Sequence, residues 1–133
     1  MATKTKPIAK AAALDKTTNS ASDALSKACS DAAKAVTKKT AEAKKQTAEV
    51  KRHTKKRATL TKRSRTAAAK QKKNPNAENR KAVSAVAKEL KATKSAQEKA
   101  RKNKAATSTE LAALRVAAKR LTAYTKAIAA ADR

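Results

Sequence analysis

Glycine, tryptophan and phenylalanine are absent from this chain, and tyrosine, cysteine, histidine and methionine occur once each. Without Gly, a phosphate-cradling Gly-rich loop cannot form and the tight primed hairpin turns lose their favoured residue. With Tyr124 as the sole aromatic, base stacking on aromatic platforms is excluded as a main binding mode. Tyr124 itself is expected to pack beside Leu121 and Ile128. The single Cys29 permits no intramolecular disulfide and no cysteine-rich metal site, and it is expected as a small half-buried residue. His53 stands in a basic stretch without a neighbouring carboxylate or thiol, so it is expected as an exposed polar position rather than a base or ligand. Leu, Ile and Val together number 14 of 133 residues, far below what a packed globular core uses. No run approaches the roughly 20 apolar residues of a membrane span, and residues 1–16 lack a secretory apolar stretch. The chain is therefore expected to be soluble, unsecreted and cytoplasmic.

What fills the space is Ala, at 36 residues, and Lys, at 26; 35 Lys and Arg face 10 acids, for a net charge of +25. Ala has the best intrinsic helix propensity and contributes little on burial, so the chain is helix-prone but core-poor. A charge that large concerns association, and it points to a polyanionic partner. Low apolar content with high net charge is also a signature of marginal order without a partner.

The clearest punctuation is Asn74-Pro75-Asn76. Asn before Pro disfavours helix, and Pro suits a first helical position. Beyond it, a stripe advances in alternating steps of three and four through Val83, Val86, Leu90, Thr93, Gln97, Ala100, Lys104, Thr107, Leu111, Leu114, Ala118, Leu121, Thr125 and Ile128, a heptad pattern with a polar middle. Before it, a weaker stripe runs through Leu14, Thr18, Ala21, Leu25, Ala28, Ala32, Val36, Thr40, Ala43, Thr47, Val50, Thr54, Ala58 and Thr61, with a stutter at 32, 36 and 40. The expected fold is all-α: a long antiparallel, coiled-coil-like helical hairpin. It comprises a disordered basic tail (1–10), a basic helical arm (11–73), a turn (74–76) and a heptad-patterned arm (77–131). Helix-start signals at Asn19-Ser20-Ala21-Ser22-Asp23 and Thr107-Ser108-Thr109-Glu110 mark places where either arm would split.

The densest charge lies between residues 44 and 73, where 13 bases face the single acid Glu49. Lys44, Lys45, Lys51, Arg52, Lys55, Lys56, Arg57, Lys62, Arg63, Arg65, Lys70, Lys72 and Lys73 are the candidate nucleic-acid-binding residues. Like charges at helical spacing, such as Lys51 with Lys55, destabilise an isolated helix by a few tenths of a kcal/mol each, and a neutralising partner would relieve that cost. Each phosphate neutralised releases condensed counterions, which gives affinity without sequence information. No helix-turn-helix, zinc-finger or leucine-zipper pattern is present. No nucleophile has a convincing general base, so no catalytic site, cofactor, metal or small-molecule substrate is expected. Thr59, Ser64 and Thr66 are candidate phosphate acceptors that would locally cancel charge.

The Ala-Lys texture of Lys10-Ala11-Ala12-Ala13, Ala32-Ala33-Lys34-Ala35 and Thr66-Ala67-Ala68-Ala69-Lys70 resembles the bacterial linker-histone-like, nucleoid-associated proteins. The likeness is compositional and covers most of the chain. It implies a protein that coats and condenses DNA with little sequence preference. The Ala-Lys-Pro repeats common in that family's tails are absent, and Pro occurs only as Pro7 and Pro75; a tail-driven mode of condensation is therefore not implied. The expectation is a non-enzymatic, nucleoid-associated binder of double-stranded DNA. Two alternatives stand beside it. One is an RNA- or ribosome-associated basic protein. The other is a structural coiled-coil or granule-coating protein that uses Leu111, Leu114, Leu121 and Ile128 to form a homo-oligomer or to sit on an apolar surface.

Overall fold

A computed structural model describes the backbone of residues 2–132 and the side chains of residues 11–132. It contains two α-helices, α1 (Ala2–Lys73) and α2 (Ala77–Ala131), and no strand among the described residues. The chain divides into two units, residues 1–40 with 110–133 and residues 41–109. In each, a stretch of α1 packs antiparallel on a stretch of α2. In the first, Cys29 meets Thr122 and Thr125 while Lys39 meets Glu110. In the second, Arg57 meets Gln97, and Lys70 near the end of α1 meets Asn79 near the start of α2. The helical hairpin expected from the pattern is thus present. The side chains of the expected tail, residues 1–10, lie outside the described residues; the helical backbone begins at Ala2.

The corner forms without any residue at positive φ, which is how a chain without Gly turns. Asn76 is the N-cap of α2: its Oδ1 accepts the backbone N–H of Asn79 at 2.8 Å, satisfying one of the orphan donors of the first turn. Asn79 returns the favour to α1, its Nδ2 donating to the carbonyls of Asn74 at 2.7 Å and Lys70 at 3.4 Å. Pro75 sits ahead of this cap rather than at a first helical position. Lys70, Lys72 and Lys73 in the last turn of α1 and Glu78 in the first turn of α2 match the helix dipoles.

On α2 all fourteen stripe positions from Val83 to Ile128 are buried or half-buried, with Thr93, Gln97, Ala100, Thr107 and Leu111 the most enclosed. On α1 nine of the fourteen expected stripe positions, Leu25, Ala28, Ala32, Val36, Thr40, Ala43, Thr47, Val50 and Thr61, are half-buried. The most regular covered row, however, advances in steps of three and four without a stutter from Ser22 through Leu25, Cys29, Ala32, Val36, Lys39, Ala43, Gln46, Val50, His53, Arg57, Leu60, Ser64 and Ala67 to Gln71, with Ala28, Ala35, Thr40, Thr47 and Thr61 half-buried beside it. Thr54 and Ala58 are exposed, and Leu60, missing from the expected stripe, is the most buried side chain at 2% exposure. The period of 3.5 is imposed by the partner helix; it admits Lys39, Gln46, His53 and Arg57 because no apolar residue occupies those places. Leu14 and Thr18 are exposed, since α1 has 72 residues against 55 in α2 and its first turns have no opposite number; Ala21 is exposed because it stands one position off the seam at Ser22.

Neither helix splits. In α2, Thr109 does not cap; its Oγ1 donates back to Ala105 O at 3.1 Å, while Thr107 is buried and Glu110 pairs with Lys39. Among the described residues twelve Thr hydroxyls donate in this way to the carbonyl four residues earlier, Thr17, Thr18, Thr40, Thr47 and Thr61 included. A residue of modest helix propensity is thereby satisfied inside the helix, and flanking Ala carries the helix through.

Candidate nucleic-acid interface

The unit of residues 41–109 carries all thirteen candidate residues on one helix. Twelve of them, Lys44, Lys45, Lys51, Arg52, Lys55, Lys56, Lys62, Arg63, Arg65, Lys70, Lys72 and Lys73, are exposed. Among the described residues none of these twelve takes part in an ion pair. The arrangement follows from the seam: with one stripe of α1 against α2, the cations fall on the sides left to water. Lys44, Lys51, Arg65 and Lys72 share one seven-residue column, with Ala58 in the gap. Successive places in that column are about 10.5 Å apart, and the column spans about 42 Å.

Arg57 is the exception. It is half-buried on the seam, where its Nη1 donates to Gln97 Oε1 at 2.9 Å. Sequence reasoning placed it outside because a cation at a seam position is rare; the signal that would have found it is the period, carried on from Val50 without regard to polarity. His53 is likewise half-buried on the seam rather than exposed.

Near the corner, a groove of about 580 Å³ has Lys62, Arg63 and Lys70 on its α1 side and Ala67 and Val86 lower down. Thr59 and Thr66 also line it; both are exposed, with hydroxyls engaged by Lys55 O and Lys62 O at 3.1 Å. Ser64, by contrast, is half-buried on the seam, which leaves Thr59 and Thr66 as the accessible acceptors of the three.

In the other unit, Leu111 is buried and Leu114, Leu121 and Ile128 are half-buried, so the residues that would coat a surface or join copies are covered by α1. Cys29 is half-buried on the seam, its Sγ 3.8 Å from Thr122 Oγ1 and 3.7 Å from Thr125 Oγ1. Tyr124 is 56% exposed, since it stands one position outside the seam. Among the described residues no group of His, Cys, Asp and Glu could hold a metal ion, and no helix is long and apolar enough to cross a membrane. No family model, curated protein or solved structure matches the chain.

Proposed function

We propose that the chain binds double-stranded DNA without sequence preference, through phosphate contacts from the exposed cations of residues 44–73, and that it compacts DNA as a nucleoid-associated protein. The observation that carries this is the row of twelve exposed cations on one helix, none of them ion-paired among the described residues. Cations held apart on a stiff element are pre-arranged against a polyanion, and each phosphate contact releases counterions. The Ala-Lys texture it shares with linker-histone-like proteins supports the same reading. At 3.4 Å per base pair the strip of about 42 Å matches a site of about 12 base pairs. RNA is the second polyanion of this kind; the near absence of aromatics favours duplex over single strands.

Mobility-shift titration against two duplexes of unrelated sequence tests the proposal. Comparable affinity for both is expected, with a loss of about a hundredfold when Lys51, Arg52, Lys55, Lys56, Lys62 and Arg63 are all replaced by Gln, in a variant that keeps its helicity. Undiminished binding by that variant contradicts it.

A further inference from the structure

In the unit of residues 41–109 a groove of about 450 Å³ opens where Thr54, Arg57, Lys62 and Arg65 of α1 face Gln97 and Arg101 of α2. None of its lining residues is acidic and four are cations. Lys62, Arg65 and Arg101 are exposed, whereas Arg57 is half-buried. Arg57 is also held. Its Nη1 donates to Gln97 Oε1 at 2.9 Å, Gln97 Nε2 donates to Thr54 Oγ1 at 2.9 Å, and Thr54 Oγ1 donates to Val50 O at 2.8 Å. Gln97 is 3% exposed, so this relay is fixed from within the seam, and each donor in it has one acceptor.

A guanidinium carries five N–H donors, and a neutral amide oxygen does not cancel its charge. Among the described residues no carboxylate pairs with Arg57. A half-buried cation without a counter-charge carries a desolvation cost that a neutral amide oxygen offsets only in part. An anion seated beside it removes the conflict. We propose that this groove is a seat for a phosphate oxyanion. Arg57, oriented by Gln97, offers its planar fork to two oxygens, and Lys62, Arg65 and Arg101 neutralise the remainder. The phosphate can belong to a nucleic-acid backbone or to a short inorganic polyphosphate. The seat shares Lys62 and Arg65 with the exposed strip but turns on Arg57, which is not among the strip's exposed cations, so loss of one does not entail loss of the other.

The test is calorimetric titration of the full chain with inorganic tripolyphosphate at about 0.15 M salt, where diffuse attraction is screened. One saturable site per chain is expected. Arg57→Leu and Arg57→Lys each weaken it by about tenfold or more, while Lys119→Ala, which also removes one exposed cation but lies on α2 outside the strip, changes it by less than about twofold. Arg57→Leu leaves the buried Gln97 Oε1 without its donor and lowers the thermal midpoint somewhat, so each variant is titrated well below its own midpoint, with circular dichroism separating loss of the seat from loss of the fold; Arg57→Lys, with its charge retained, isolates the fork. Arg57→Lys binding as tightly as the native chain overturns the proposal. So does weak binding at many equivalent sites that Lys119→Ala and Arg57→Leu diminish alike. Displacement of tripolyphosphate by a 12-base-pair duplex assigns the seat to nucleic-acid phosphates; simultaneous binding of both assigns it to free polyphosphate. Saturable, Arg57-dependent binding by a chain that fails to bind duplex upholds the seat and rejects the DNA proposal.

Discussion

Among the described residues Leu60 is the side chain the seam encloses most fully, and its neighbours along α1, Arg57 and Ser64, are polar, so it is the apolar anchor of that stretch. Replacing it with Ala removes buried methyl groups and leaves a cavity, for which about 2–3 kcal/mol is expected. A thermal melt followed by circular dichroism should show the midpoint falling by several degrees; an unchanged midpoint would place Leu60 outside the seam. Leu14 offers the control, since it is 66% exposed, and Leu14→Ala should leave the melt unmoved. The corner makes its own residue-scale prediction. Asn79 both donates its backbone N–H to the Asn76 cap and closes the end of α1 through its amide, so Asn79→Ala should cost about 1 kcal/mol. Asn79 was not legible as a cap for α1, because a residue serving the helix before its own has no local sequence signature.

At the scale of elements, α2 was readable and α1 only in part. The stripe from Val83 to Ile128 has apolar residues at both ends, and these fix the phase across the polar middle of Thr93, Gln97, Lys104 and Thr107. On α1 the apolar marks are sparse, and tracing small residues after Val50 drew the stripe onto Thr54 and Ala58, one turn-edge away from His53, Arg57 and Leu60. Charge misled in the same place. Arg57 lies in the middle of a basic cluster whose other members all face water, and nothing in composition distinguishes it; only the continued 3.5 period does. The twelve exposed cations were legible because they are what remains once a seam is subtracted from a Lys-rich helix. The internal cap signal at 107–110 failed as a break because Thr109 satisfies its hydroxyl within the helix and Ala105, Ala106 and Ala112 nearby favour continuation; nothing in the structure explains why the signal at 19–23 is also passed through.

For the molecule as a whole, a net charge of +25 and a thin seam oppose each other. The two effects of salt are therefore expected to differ in sign. Adding salt to the free chain screens repulsion between cations along each helix and should raise its helicity, whereas high helicity already present at low salt would show that the seam needs no such help. Duplex should raise helicity and thermal midpoint further, as a ligand that binds the folded state. Adding salt to the complex must instead weaken it. The most direct measurement of the central claim is thus the dissociation constant for a duplex of about 12 base pairs, followed across a series of salt concentrations. If exposed cations bind phosphates, log affinity falls linearly with log salt with a slope of about −5 to −10; a slope near zero would contradict the account.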